Sequence, residues 1–446
     1  LKPYEETRMT TAAESEILTR VGPGTPLGTM MREYWIPAAL GSELVADAAP
    51  TRIMLLGEQL IAFRDSAGRV GVMDHRCPHR CASLFFGRNE AGGLRCSYHG
   101  WKYDVEGNCL DMPNVPAHRQ TGDKVRAKAY PAVERNGIVW AYMGARKTLP
   151  PLPCFEASLL AEEERNLFCV QRECNWLQAM EGDIDTSHFS FLHVGAVAFD
   201  QADPTNLGRF ATLDRAPDYH VADTDWGTMY AAYRPANPGE TYWRVAHFMF
   251  PFWTIPPDGN FSDHIIARAW VPMDDTHVMF FHCSWKKNTP GLRKLKDGSS
   301  IPGASIGNEF LPNGTGWFDR WRLKANADND YLIDRDQQKS ASYSGIVGIH
   351  LQDQAMTESM GGIVDHAHEH LAVSDVMIAR TRRRIAMAAR DAAQGITPPG
   401  VDHPELYQGA RGGDFVTPSS VGWLQAYGDE MRASKNPTGA LKIAAE

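Results

Sequence analysis

Cys77-Pro78-His79 and, after sixteen intervening residues, Cys96-Ser97-Tyr98-His99 bring two thiols and two imidazoles close together in the chain. Soft sulfur and nitrogen donors grouped at such short spacing are metal ligands. Two arms of this kind can serve one centre only if the chain between them doubles back. That requirement points to two loops at the tips of a small β scaffold. Two Cys and two His also make a structural zinc site, and zinc is the plainer alternative. Zinc fingers, however, place Cys with Cys and His with His, whereas each arm here carries one of each. Mixed arms suit a two-iron cluster with both Cys on one iron and both His on the other.

The residues around the arms read as that scaffold. Ile53-Met54-Leu55-Leu56, Leu60-Ile61-Ala62-Phe63 and Val70-Gly71-Val72-Met73 are short β-rich runs. Gly57-Glu58-Gln59 and Ser66-Ala67-Gly68-Arg69 separate them as hairpin turns. Residues 137–142 add a closing strand, and Pro150-Pro151-Leu152-Pro153 marks the best domain boundary. Upstream, Thr25-Pro26 opens a short helix toward Tyr34-Trp35. The expected division is an N-terminal arm and helix over 1–35, the arm-bearing domain over 36–148 and a larger domain over 149–446.

In the larger part, residues 229–233, 242–250, 264–271 and 278–285 read as strands. Residues 288–316 hold six Gly and three Pro, a long loop that is either a lid or an inert insertion. Helices are expected near 317–327, from about Gln352, and from Ser374 as N-cap to Ala393. The fold class is α+β: a small antiparallel β domain followed by a larger antiparallel sheet covered by helices on one side. Net charge is −9, which suggests neither nucleic acid nor an acidic membrane as partner. The sequence shows no run of eighteen apolar residues and no charged-then-apolar leader. Eight Cys, two of them metal ligands, do not make a disulfide scaffold. A reducing cytoplasm is the expected compartment.

Asp185, His188 and His193 form a second donor group. On a helix Asp185 and His188 would share a face. His193 lies about 140° further round an ideal helix, too far for both imidazoles to meet one ion. A π-bulge, kink or helix end is therefore expected between His188 and His193. The plainer reading is two His on a surface helix beside an acid.

The first group resembles the Rieske 2Fe-2S motif, including Pro78 and the run Tyr98-His99-Gly100-Trp101. The second, with Asn175-Trp176 ahead of it, resembles the mononuclear-iron motif of Rieske ring-hydroxylating oxygenases. Residues 18–26 and Glu358-Ser359-Met360-Gly361 resemble the phthalate and 3-chlorobenzoate dioxygenases within that family. The resemblance implies a 2Fe-2S cluster on Cys77, His79, Cys96 and His99. It also implies Fe(II) on His188, His193 and a carboxylate from a late helix, with places left open for dioxygen and substrate. The segment beginning Gln352-Asp353 resembles that helix, so Asp353 is the chosen ligand, with Glu358 and Asp365 as rivals. Asp185 would bridge a cluster histidine of one subunit to an iron-ligand histidine of the next, which requires a head-to-tail trimer or two stacked trimers. Respiratory Rieske proteins carry a disulfide beside the cluster, but Cys81 has no counterpart between Cys96 and His99. Trp101 also stands where they have a serine, so a potential near about −150 mV is expected.

The implied activity is that of a terminal oxygenase. It would take electrons from an NADH-dependent flavin and iron-sulfur reductase, and use O2 to hydroxylate or dihydroxylate a phthalate- or chlorobenzoate-like acid. O-demethylation of a methoxylated aromatic acid is one alternative, and a Rieske electron carrier is another. Strand periodicity puts Arg244 on the face of Ala246, Phe248 and Phe250. A buried arginine needs an anion, either a substrate carboxylate or a nearby Asp or Glu. Arg234 is a second candidate. His366, His368 and His370 read as solvated, and Arg380, Arg382, Arg383 and Arg384 as a hydrated helix face. Cys109, Cys154, Cys169, Cys174 and Cys283 read as small core residues.

Overall fold

The computed structural model describes residues 10–440. Thr25 caps the Pro26–Arg32 helix by accepting from the Gly28 N–H, with proline inside the first turn. The three β-rich runs form consecutive antiparallel strands, Thr51–Leu55, Glu58–Arg64 and Val70–Asp74. The first turn is Leu56-Gly57, one residue earlier than the sequence suggests; both residues have positive φ, as a two-residue hairpin loop requires. A second small sheet, from Arg88–Glu90 to Cys109–Asp111, carries the Cys96 arm. In a third, Ile138–Tyr142 lies between Trp35–Leu40 and Ala132–Arg135.

Beyond Pro150 the chain builds an eight-stranded antiparallel sheet. Its long central strand, Glu240–Met249, pairs with Gly227–Pro235 on one side and with both Trp253–Ile255 and the late strand Gly413–Pro418 on the other. Helices Trp176–Ile184 and Val376–Ala393 pack over this sheet, and Ile349–Ser359 lies against the first of them. The final helix, Trp423–Ala433, meets Trp243, Val245 and Phe415. These side chains point away from Arg244 and Ala246 by strand alternation, so the helices are not confined to one face.

Four apolar clusters form among the described residues, and two of them span or underlie the first domain. The larger runs continuously from Ile53 and Trp140 in the first domain to Trp176, Phe248 and Trp270 in the second. The smaller lies under the two Cys-His arms and includes Phe63, Leu84, Leu94, Tyr103, Cys77 and Cys96.

Two expected helix features are absent. Residues 317–327 form turns, because Asn313, Asp319 and Asn326 side chains take the backbone N–H groups of Trp321, Gly316 and Asp328. Trp321 is itself in the left-handed region. The Val376–Ala393 helix follows a short 3-10 turn, Val373–Asp375, so Ser374 is not its N-cap.

Candidate metal centres

The two Cys-His arms have the same internal bonding. The carbonyl of Cys77 accepts from the N–H of Cys81 at 2.8 Å, and that of Cys96 accepts from Gly100 at 2.9 Å. Each Cys N–H in turn reaches the carbonyl five residues on, Ala82 or Trp101, at 2.8 Å. Cys81 and Gly100 thus hold equivalent positions, and both have positive φ, 59° and 78°. Both thiols are buried, while His79 and His99 are half-buried with ring centroids 4.5 Å apart. Burial pushes the Cys77 thiol up, an effect opposed by the Tyr103 hydroxyl 3.4 Å from its sulfur. Trp101 stacks on His79 at 4.2 Å, and its indole N–H donates to Asn114. His99 Nδ1 is buried without a hydrogen-bond partner. Two buried sulfurs and a nitrogen left unbonded are the donor chemistry that an iron-sulfur cluster with mixed ligation takes.

The second group comes from two separate stretches of chain, residues 185–193 and the helix that carries Asp353. The Trp176–Ile184 helix, capped by Asn175, ends before Asp185, which has extended backbone. Asp185 and His188 therefore do not share a helix face. They meet across a turn, where Asp185 Oδ2 stands 3.3 Å from His188 Nδ1 and Oδ1 accepts from the N–H and hydroxyl of Ser187. Phe189–His193 is a π-helical turn, closed by a bond from the Val194 N–H to the Phe189 carbonyl. The wider turn brings His193 Nε2 to 3.1 Å from His188 Nε2. Helix Ile349–Ser359 starts three residues before Gln352 and delivers Asp353, whose Oδ1 lies 3.1 Å from His193 Nε2 and 3.6 Å from His188 Nε2.

These three donors are the cluster among the described residues whose ligand atoms converge as on one metal ion. The set, two imidazoles and one carboxylate, is the one that suits non-haem Fe(II). Neither rival carboxylate takes part. Glu358 accepts from the Glu173 N–H and the Tyr331 hydroxyl, and Asp365 from His368. Burial works against the charged forms here, but Asp185 and Asp353 hold the His188 pKa up at about 9. The imidazoles of His193 and His188 in turn hold Asp353 well below the usual carboxylate range despite its burial.

Two cavities flank the three donors. One of about 40 Å³ is lined by Phe189, Arg244, Arg268, Arg293 and Asp258. That is space for a water or two, so its walls must part to admit an aromatic ring. Arg268 pairs with Asp183, and Arg293 with Asp258 at 2.8 Å. Arg244 has no ion-pair partner among the described residues. Its Nε donates to Thr186 at 2.7 Å, and its guanidinium carbon lies 4.4 Å from the Phe189 ring centre. The cross-strand acid, Asp414, accepts instead from Tyr242, and burial pushes its carboxyl up to about 7. Arg234 lines neither cavity and donates to the Asp214 carbonyl at 2.7 Å. The other cavity, of about 410 Å³, lies among Phe191, Leu192, Tyr343, Met356, Met360 and Asp185. No residue of the two Cys-His arms lines either cavity.

Several polar residues depart from the sequence expectation. Arg382 is buried between Glu181 and Glu369, Arg380 pairs with Asp223, and Arg384 donates to the Thr224 carbonyl. The arginine run is therefore largely a set of packed ion pairs. His366 is buried, with Nδ1 2.7 Å from the Ser15 hydroxyl, whereas His368 is exposed. Cys169, Cys174 and Cys283 are buried as expected, and Cys109 and Cys154 partly so. Sequence reasoning missed Gln352, whose only signal was adjacency to Asp353; its Oε1 lies 2.7 Å from His193 Nδ1. It also missed His264 and His350, which burial drives down to about 4 and about 3.

The Rieske [2Fe-2S] domain family matches residues 34–131, and the "LigXa C-terminal domain like" family matches residues 141–437. The chain is 50% identical over 428 residues to the 3-chlorobenzoate-3,4-dioxygenase oxygenase subunit of Comamonas testosteroni, covering 94% of this chain and 98% of that one. It is 38% identical over 402 residues to the phthalate 4,5-dioxygenase oxygenase subunit of Pseudomonas putida, covering 86% and 88%. In fold it is similar to dicamba monooxygenase bound to dicamba, with TM-score 0.52 at 18% identity, over 82% of this chain and 98% of that one. No helix among the described residues is long and apolar enough to cross a membrane.

Proposed function

This chain belongs to the Rieske non-haem iron oxygenases and is a terminal oxygenase with a 2Fe-2S cluster and a mononuclear iron, and we propose that it oxidises an aromatic carboxylate held by Arg244. The cluster ligands in this reading are Cys77, His79, Cys96 and His99, and the iron ligands are His188, His193 and Asp353. The bound groups supply electron storage and dioxygen activation, while the protein supplies position and dryness. One observation carries the substrate reading: Arg244, 3% exposed and unpaired with any carboxylate, lines the cavity that His188, His193 and Asp353 also line. A buried guanidinium left in this way is matched by a ligand carboxylate, which it can bind through two parallel hydrogen bonds. Phe189, whose ring the guanidinium covers at 4.4 Å, lines the same cavity. The wider cavity suits such an acid less, because its one arginine, Arg382, is already paired with Glu181 and Glu369.

Electrons come from a reductase in this proposal, and they pass between subunits. The wider cavity opens beside Asp185 and His188 with Phe191, Met356 and Met360 exposed around it. The Cys96 arm carries an exposed aromatic, Tyr98, and its Ser97 donates to the carbonyl of Phe86, which is exposed too. Two unlike apolar surfaces on one chain favour head-to-tail assembly into a ring, with Asp185 at the junction. Oxygen uptake with a reductase and NADH, over a panel of benzoates, phthalates and methoxybenzoates, tests the reading. Turnover of a carboxylated ring, lost when its carboxylate is replaced by a carboxamide, is expected. Equal turnover of the neutral analogue would sink the role of Arg244.

A further inference from the structure

The two imidazoles of the iron site are supported from behind by different groups. His188 has the carboxylate of Asp185, whereas His193 has the neutral amide of Gln352, with Oε1 2.7 Å from Nδ1. Gln352 is 1% exposed, and its other end determines which way the amide faces. Its Nε2 lies 2.7 Å from the Ile346 carbonyl and 3.1 Å from the Gly303 carbonyl. Carbonyls only accept, so the amide nitrogen must face them and the amide oxygen must face His193. That oxygen also only accepts. His193 Nδ1 therefore carries the hydrogen, and Nε2 presents its lone pair toward His188 and Asp353.

The backbone is shaped around this amide. Gly303 has φ +84°, and a Cβ there would stand 3.0 Å from Gln352 Nε2 and 3.1 Å from the Ile346 carbonyl. Gly303 belongs to the Gly- and Pro-rich loop 288–316, and Ile346 to the turn before the Ile349–Ser359 helix. One amide thus joins two segments of chain to one imidazole.

We infer that Gln352 is a positioning residue: it selects the tautomer of His193 and makes the ring's orientation depend on the segments at Gly303 and Ile346. The inference rests on the reading of His188, His193 and Asp353 as the iron site. The amide remains seated only while Gly303 and Ile346 stay in place. A displacement of either segment reaches His193 through this amide. Losing a support of this kind lowers metal affinity on the order of 10- to 100-fold.

The test uses the full chain with its cluster intact and its mononuclear iron removed by chelation. Fe(II) is titrated back against a chromophoric competitor, and the EPR spectrum of the nitric oxide complex reports the ligand geometry. Wild type takes about one Fe(II) per chain and His193→Ala does not; a failure of this pair overturns the iron-site reading itself. Gln352→Leu is expected to bind Fe(II) roughly 10- to 100-fold more weakly, with an altered spectrum and unchanged cluster absorption. Gln352→Asn, too short to reach His193, gives the same result and serves if the leucine variant does not fold. Gly303→Ala touches none of the three donors and is expected to shift affinity the same way by a smaller factor. Wild-type affinity and spectrum in both Gln352 variants overturn the inference, and wild-type behaviour in Gly303→Ala overturns the dependence on the loop.

Discussion

The two metal centres are built by opposite strategies. Each Cys-His arm is a self-contained loop, closed by hydrogen bonds within six residues and repeated once, over a core made largely of its own domain. The proposed mononuclear site has no such local frame. Its donors come from a π-helical turn and from a helix 160 positions after His193, steadied by Asp185 and Gln352. A local centre is specified by a short motif; a dispersed one depends on the whole domain packing correctly. Damage should therefore stay local in the first and spread in the second.

The largest expected effect separates the two. His193→Ala should abolish turnover and lower iron from about three to about two per chain while leaving two acid-labile sulfides. Loss of the cluster chromophore as well would show that the centres are not independent. Next comes Arg244→Met, which removes one charge-assisted contact worth about 1.5–3 kcal/mol. KM for a carboxylated substrate should rise roughly 10- to 100-fold with the smaller change in kcat. A fall in kcat alone would place Arg244 in the chemistry rather than in binding.

Within the local centre the effects are smaller. Tyr103→Phe removes the hydroxyl 3.4 Å from the Cys77 sulfur. At about 1 kcal/mol for the lost bond, the cluster potential should fall by about 40 mV, measurable by redox titration. Smallest is the exchange at the two equivalent left-handed positions. Cys81→Gly relieves a positive φ of 59° and should raise stability by up to about 1 kcal/mol. Gly100→Ala should lower it, since its Cβ would meet Pro113 Cγ at 2.6 Å. Thermal unfolding that ranks these two variants the other way would break the equivalence of the arms.

The contrast also explains what could be read in advance. The spacing of Cys77, His79, Cys96 and His99 needs only short loops, so motif and geometry coincide. The angular mismatch between His188 and His193 required a local break in the helix, and the π-helical turn provides it. Helix 317–327 failed because Asn and Asp side chains there take the backbone N–H groups, an outcome that propensity does not reveal. The arginine run failed for a different reason. A charged residue reads as solvated until its partner is known, and Glu181 lies 201 residues from Arg382.

By itself, then, the sequence determined the short-range chemistry: two mixed Cys-His loops, a histidine pair needing a widened turn, and strands alternating about Arg244. Only the tertiary structure decided which distant groups meet. It brought Asp353, and neither Glu358 nor Asp365, beside the two imidazoles, left Arg244 without a carboxylate, buried Arg382 and His366, and seated Gln352 behind His193. The reason is one of range. Spacing constrains residues a few bonds apart, whereas a partner a hundred or more residues away is set by how sheet and helices close on a common core.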